Sequence, residues 1–323
     1  MKLGVLTSLY RNIPLSEALD KFDKMGIEAV ELAAGGFGGK EHCDPALLLS
    51  DKEKFAEFIN LFKAHPNIKI SALSLHANPV HPDKEKAAAF DRDFREGVLL
   101  CERLGVDTVT TFSGCPGDCP TSKYPNWVCC PWPEDNLAIL DYQWNEVLIP
   151  YWKKTVEFCR EHGVTKIAFE MHPSFCVYNV ETLLKLRDAV GPELGCNFDP
   201  SHLVWQGVDP VCAVRALGDA IFHVHAKDVK IDKYNTAVNG VLDTKHYSDE
   251  LARSWVFRSV GYGNDMSYWR DMISNLRLCG YDSVISIEHE DSVMSIDEGF
   301  EKAVYFLKQA IIREEKPTGM AWA

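Results

Sequence analysis

Four short stretches of this sequence each carry a metal-ligand side chain at or near the end of an apolar run. They are Lys166-Ile167-Ala168-Phe169-Glu170-Met171-His172-Pro173, Gly195-Cys196-Asn197-Phe198-Asp199-Pro200-Ser201-His202, Ile221-Phe222-His223-Val224-His225-Ala226-Lys227-Asp228 and Val284-Ile285-Ser286-Ile287-Glu288-His289-Glu290-Asp291. A strand turns successive side chains to opposite faces. In the last stretch Ile285 and Ile287 therefore share one face, and Ser286, Glu288 and Glu290 share the other. The same arithmetic puts Glu170, Asp199 and His225 on the polar face of their own runs. Each of these residues alone reads as a solvated charge or a satisfied core histidine. Together, three carboxylates and one imidazole suit a hard-to-borderline divalent ion. Mn²⁺ is the first choice, and Mg²⁺, Co²⁺ and Zn²⁺ are compatible. Two coordination positions would remain for substrate oxygens.

Other side chains fall beside this set. His172 follows Glu170 by two positions, shares its face and can reach a hydroxyl. Lys227 stands in the same relation to His225, as a substrate contact or a buried ion-pair partner. On an earlier run Ala72, Ser74 and His76 share a face, which makes His76 a pocket candidate. Glu31 points inward and is expected to order the interior rather than to react. Arg258, in Ser254-Trp255-Val256-Phe257-Arg258, offers a clamp for an anion or hydroxyl if it faces the same mouth. Cys115, Cys119, Cys129 and Cys130 cluster in one proline-interrupted segment. Their spacing is poor for zinc, so free thiols in a loop are expected.

The elements that must hold these residues alternate strand and helix. Strands are expected over Gly4–Leu9, Ala29–Ala33, Ile68–His76 and Val106–Phe112, then around Ile167, Cys196, Phe222 and Ser283. Helices are expected over Pro14–Met25, Asp51–Ala64, within His81–Leu104, over Ile139–His162, from Val180, from Pro210, over Met266–Cys279 and over Ile296–Ile312. Leu15, Ala18, Leu19 and Phe22 form the apolar stripe of the first helix, and Gly26 closes it. Eight such units predict an α/β fold, a closed (β/α)8 TIM barrel formed by one domain over residues 1–313. The last ten residues, 314–323, read as a C-terminal tail. An open doubly wound sheet would want a glycine-rich phosphate turn, and no GxGxxG opens a helix here. Long loops follow strand four (113–136) and strand seven (229–263), and loops of this length are usually functional.

At 323 residues, 46% apolar and 25% charged, the chain is an ordinary globular protein. A net charge of −13 disfavours nucleic acid and anionic membranes as partners and fits a site that holds a cation. No apolar run is long enough to span a bilayer, and the N-terminus has no signal-peptide design. A cytoplasmic location is expected. The eleven cysteines are an odd number spread through apparent strands and helices, which reads as reduced core thiols.

The runs Phe169-Glu170-Met171-His172-Pro173, Phe198-Asp199-Pro200-Ser201-His202, His223-Val224-His225-Ala226-Lys227-Asp228 and Ile287-Glu288-His289 resemble the xylose-isomerase-like barrel superfamily, the sugar phosphate isomerase/epimerase group. The resemblance covers nearly the whole chain. It implies metal ligands at Glu170, Asp199, His225 and Glu288, and a substrate-contacting His202 three residues after Asp199. It also implies a small-molecule carbohydrate substrate, with a homo-oligomer or a small partner subunit as compatible assemblies. The ketose 3-epimerases of the group carry an Arg six residues past the metal His. This sequence has Ile231 there, so that contact does not carry over. Trp127 and Trp132 in the first long loop can stack on a sugar ring, although a self-packed loop accounts for them slightly better.

The activity implied is proton abstraction next to a carbonyl through a metal-stabilised enediolate, with Glu170 and Glu288 as the acid/base pair on opposite sides of the metal. Return of the proton to the other face is epimerisation, and return to the next carbon is isomerisation. Loss of a β-substituent would make the protein a lyase or dehydratase, or a C-deglycosidase acting on a 3-oxo-glycoside or an inosose. An endonuclease IV-like nuclease needs a basic groove and more histidines. A non-catalytic sugar-binding subunit would bind without proton exchange.

Overall fold

The computed structural model describes residues 1–315 and 319. Eight parallel strands close a barrel: β1 (Lys2–Leu6), β2 (Ala29–Ala33), β3 (Lys69–Ser74), β4 (Thr108–Thr111), β5 (Lys166–Glu170), β6 (Leu194–Phe198), β7 (Ile221–Ala226) and β10 (Val284–Ile287). The hydrogen-bonded order runs β1, β10, β7, β6, β5, β4, β3, β2 and returns to β1. This is the expected (β/α)8 barrel. Most of the tail, residues 316–318 and 320–323, lies outside the described residues.

The strands have two chemically distinct faces. Leu3, Val5, Val30, Leu32, Leu73, Val109, Ile167, Phe169, Cys196, Phe198, Val224, Ile285 and Ile287 are fully buried in the main core. The alternate positions carry Glu31, Ser74, Thr110, Glu170, Asn197, His223, His225 and Ser286, which are also buried. The apolar core therefore sits between strands and helices, where each large side chain contributes roughly 1.5–3 kcal/mol. The barrel interior is a polar network at its upper level. Gly4 marks where it narrows, because a Cβ there would come within 2.4 Å of a Val284 methyl carbon.

Local chemistry sets the helix ends. Asp51, Asp83, Asn179, Asp209, Asp265 and Ser295 each cap a helix start by accepting backbone N–H groups. The stripe Leu15, Ala18, Leu19 and Phe22 is buried as expected. Phe22, Tyr10 and Phe300 meet edge to face, with centroids 5.6–5.7 Å apart, and so lock the first helix to the last one, Ile296–Ala310.

Three stretches depart from the sequence expectation. The first strand stops at Leu6 and turns into a 3₁₀ segment, Thr7–Tyr10. Thr7 there accepts from the Ala33 N–H at 3.1 Å, and Tyr10 enters its aromatic triad. The helix expected over Ile139–His162 begins at Asp135, widens into a π turn over Tyr142–Leu148 and resumes at Ile149–Glu161. Pro150 lacks an N–H, and its ring crowds the carbonyl four residues back, so the backbone just before it opens out. The 229–263 segment is not an unstructured loop. It contains an antiparallel hairpin of β8 (Asp228–Ile231) and β9 (Trp255–Arg258) and a helix over Lys233–Asn239. Two short helices, Pro45–Ser50 and Pro200–Val204, were also not anticipated. Among the described residues, no helix is long and apolar enough to cross a membrane.

Candidate metal centre and active site

Each ligand candidate reaches the barrel mouth by a different local route. Glu170 is the last residue of β5 and His225 the penultimate residue of β7. Asp199 caps the helix Pro200–Val204. Its Oδ1 accepts from the Ser201 N–H at 2.8 Å, which leaves Oδ2 free to turn inward. Glu288 follows β10, and its N–H extends the ladder to the Ala226 carbonyl at 3.2 Å. One ligand atom from each of Glu170, Asp199, His225 and Glu288 lies within 4.8 Å of all the others.

The electrostatic state of these atoms bears on what they could hold. Asp199 Oδ2, His225 Nδ1 and Glu288 Oε2 are buried and make no hydrogen bond, and the same is true of His76 Nε2 and His202 Nε2. They crowd one another and Lys227 at ion-pair distances without well-aligned hydrogen bonds, an arrangement that a shared cation would satisfy better. His225 Nδ1 is 2.9 Å from Glu288 Oε2 and 3.1 Å from Glu170 Oε2. His202 Nε2 is 3.0 Å from Glu170 Oε1 and 3.4 Å from Asp199 Oδ2. His76 Nε2 is 3.3 Å from Glu170 Oε2. Burial, with Glu170 and Glu288 adding like charge, pushes the Asp199 carboxyl up to about 7. Burial also pushes His202 down to about 3. A divalent cation suits this donor set in number, charge and spacing.

A second tier of buried groups orients the first. Glu31 Oε2 lies 2.7 Å from His225 Nε2, and the Glu31 carboxylate also accepts from Thr110 Oγ1 at 2.5 Å and Ser286 Oγ at 3.1 Å. A carboxylate only accepts, so His225 Nε2 carries a proton towards Glu31; burial opposes charge on the ring, but Glu31, Glu288 and Glu170 raise its pKa well above the usual histidine value, and a metal binding at Nδ1 would displace the proton there. Burial opposes the charge on Glu31, but His225 and His223 hold its carboxyl well below the usual range. Asn197 Nδ2 donates to Glu170 Oε2 at 3.4 Å, and its Oδ1 lies 3.1 Å from His223 Nδ1.

Lys227 is the local counter-charge. Its Nζ is 3.1 Å from Glu288 Oε2, 3.3 Å from Asp199 Oδ2 and 3.1 Å from Glu290 Oε2. Burial favours its neutral form, yet the surrounding carboxylates raise its pKa well above the ordinary lysine value. A cavity of about 440 Å³ opens over these groups, with Glu170, Glu288, His76, His172 and Lys227 in its wall. Its far wall includes Ser8, Arg11 and Asn12, from the turn after β1, which sequence reasoning missed. The signal available was the polar pairs Thr7-Ser8 and Arg11-Asn12 soon after an apolar strand, where barrel strands present functional loops.

Four expected substrate contacts are not in the cavity wall: His202, Arg258, Trp127 and Trp132. His202 is buried against Glu170 and Asp199. Arg258 Nε pairs with Asp291 Oδ2 at 3.2 Å, and Arg258 is absent from the cavity wall. Trp127 packs edge to face on Tyr178 at 5.5 Å, and Trp132 is exposed, so neither lines the cavity. Cys119, Cys129 and Cys130 are exposed free thiols and Cys115 is a buried one. Among the described residues these four do not assemble into a ligand group.

Comparison with known proteins places this architecture. Residues 19–310 match the family described as xylose isomerase-like TIM barrel. YfiH of Bacillus subtilis (strain 168), an uncharacterized protein, is 41% identical over 96% of this chain and 99% of its own length. The solved structure of the IOLI protein, which binds a zinc atom, superposes with a TM-score of 0.65 at 19% identity, covering 96% of this chain and 98% of that one. A D-tagatose 3-epimerase-like protein superposes with a TM-score of 0.63 at 20% identity, covering 96% and 98%.

Proposed function

The chain belongs to the xylose isomerase-like TIM barrel family, and from that premise we propose that it is a divalent-metal-dependent sugar isomerase or epimerase. The observation that carries this reading is the convergence of Glu170, Asp199, His225 and Glu288, one ligand atom of each within 4.8 Å of all the others. The zinc atom of the IOLI structure supports a resident ion in this fold, and Mn²⁺ is the proposed native metal. Glu170, Asp199, His225 and Glu288 would hold it. Bound there, the ion would supply positive charge to the enediolate that develops when a carbon next to a carbonyl loses its proton.

The protein's own side chains do the rest. Glu170 and Glu288 flank His225 Nδ1 at 3.1 and 2.9 Å. One removes the proton next to the substrate carbonyl, and the other returns it to the opposite face or to the neighbouring carbon. His76 and His172, in the cavity wall, orient substrate hydroxyls, and the buried His202 positions Glu170 and Asp199. Lys227 holds Glu288 and Asp199 in place and keeps the carboxylate cluster from repelling itself apart. A substrate with a leaving group β to the carbonyl would instead undergo elimination from the same enediolate.

The test is NMR of candidate carbonyl sugars in D₂O with Mn²⁺-loaded protein. Solvent deuterium beside the carbonyl, with the carbon skeleton and substituents retained, is the expected result. In Glu288→Gln, kept at saturating Mn²⁺ with its metal content measured, the exchange rate falls by about 10²–10⁴. Release of water or an aglycone would reassign the protein as a lyase. Full exchange in Glu288→Gln would remove Glu288 from the chemistry.

A further inference from the structure

The Lys227 ammonium stands among three carboxylates but is hydrogen-bonded to only one of them. Its Nζ donates to Glu290 Oε2 at 3.1 Å. It also lies 3.1 Å from Glu288 Oε2 and 3.3 Å from Asp199 Oδ2, yet neither of those oxygens has a hydrogen-bond partner. Glu290 itself is outside the group formed by Glu170, Asp199, His225 and Glu288. We propose that Glu290 is a positioning residue for metal binding: it draws the Lys227 ammonium to the edge of the ligand group and so keeps Asp199 Oδ2 and Glu288 Oε2 open to the ion. This rests on the metal-dependent reading above and adds how the site's own counter-charge is kept from competing with the metal.

The ammonium is confined. Lys227 is 2% exposed. Its backbone joins Ala226, the last residue of β7, to Asp228, the first of β8. The Asp228 carboxylate is tied in turn to the N–H groups of Gly261, Gly263 and Asn264. The Phe257 ring lies 4.7 Å from Nζ, a favourable neighbour for a cation. The root of the side chain is therefore fixed and one flank of its tip is covered. What remains is a short swing between Glu290 and the two ligand oxygens.

An ammonium and a divalent ion seek the same oxygens. A lysine settled on Asp199 and Glu288 would make two charge-assisted hydrogen bonds, and a metal would have to break both before it could bind. Held at the edge, the same positive charge offsets the repulsion among the ligand carboxylates without occupying a ligand atom. Glu290 is suited to the task. It follows Glu288 by two positions and reaches the same ammonium. Its side chain is 50% exposed, against 0% for that of Asp199, so its charge stays hydrated on the cavity side.

The test titrates Mn²⁺ calorimetrically into EDTA-stripped wild type, Glu290→Gln, Lys227→Met and the double variant, with unfolding midpoints measured on the same samples. Glu290→Gln is expected to weaken Mn²⁺ binding by about 10–100-fold, because Lys227 then turns onto Asp199 and Glu288. Adding Lys227→Met to it is expected to bring the affinity within about threefold of Lys227→Met alone, a recovery that a purely structural role for Glu290 would not produce. Should Lys227→Met not fold, Lys227→Gln, which keeps a donor near the carboxylates, serves as the neutral background. Wild-type affinity in Glu290→Gln would overturn the proposal. So would an equal loss with and without the Lys227 charge, which would make Glu290 act on the ion directly. A wild type that takes up no Mn²⁺ would instead sink the metal-dependent reading, and this inference with it, so the two failures are distinguishable.

Discussion

Glu31 shows how a residue outside the ligand set governs it. Its carboxylate accepts the His225 Nε2–H across a 2.7 Å contact and is itself held by Thr110 and Ser286. Replacing it by Gln keeps the shape but removes the charge that stabilises the Nε2–H. Glu31→Gln is expected to weaken Mn²⁺ binding by about 10–100-fold in a calorimetric titration. Unchanged affinity would reduce Glu31 to packing. The four ligand candidates were legible because the pleat fixes which residues of a strand share a face, and the structure brings all four together. The inward position of Glu31 was legible for the same reason. Asn197 and His223 were not singled out, because their role depends on partners on neighbouring strands and nothing local marks it. Arg258 shows the opposite limit: its reach depends on Asp291, 33 residues away.

At the scale of elements, the segment between β7 and the helix Met266–Leu278 is organised by one buried carboxylate. Asp228 Oδ2 accepts from the N–H groups of Gly261, Gly263 and Asn264 at 2.9–3.1 Å and from Trp269 Nε1 at 3.3 Å. Its Oδ1 accepts from Asn264 Nδ2 at 2.7 Å. Asp228→Ala would orphan several of these donors at about 1–3 kcal/mol each, so a loss of about 3 kcal/mol or more is expected in denaturant unfolding. Proteolytic cleavage should rise within 229–263. A variant as stable and as resistant as the wild type would contradict this role. The hairpin was readable in principle. Trp255-Val256-Phe257-Arg258 is rich in β-formers, but its partner β8 starts only two residues after β7 ends, which hid it inside an apparent loop. The strand Ala29–Ala33 was placed to the residue, because turn and helix signals bound it on both sides. The π turn before Pro150 was not, since sequence periodicity reports a helix without its pitch.

Taken whole, the molecule is an apolar shell around a polar, acidic throat. The barrel was legible from eight alternations of strand and helix, each with its own cap or stop. Substrate identity was not, because it lies in side chains of separate loops that meet only when the barrel closes. A chain of charge −13 that buries Glu31, Glu170 and Asp199 in one throat, with Glu288 at its mouth, offsets that charge with His225 and Lys227. A divalent ion would complete the balance. The direct test is to strip the protein with EDTA and titrate Mn²⁺ back by calorimetry, in parallel on Asp199→Asn and His225→Ala. One equivalent per chain is expected in the wild type, with activity restored as it fills, and binding weakened by about 100-fold or more in each variant. No binding in the wild type, or full-strength binding in both variants, would contradict a metal centre built from these four strands.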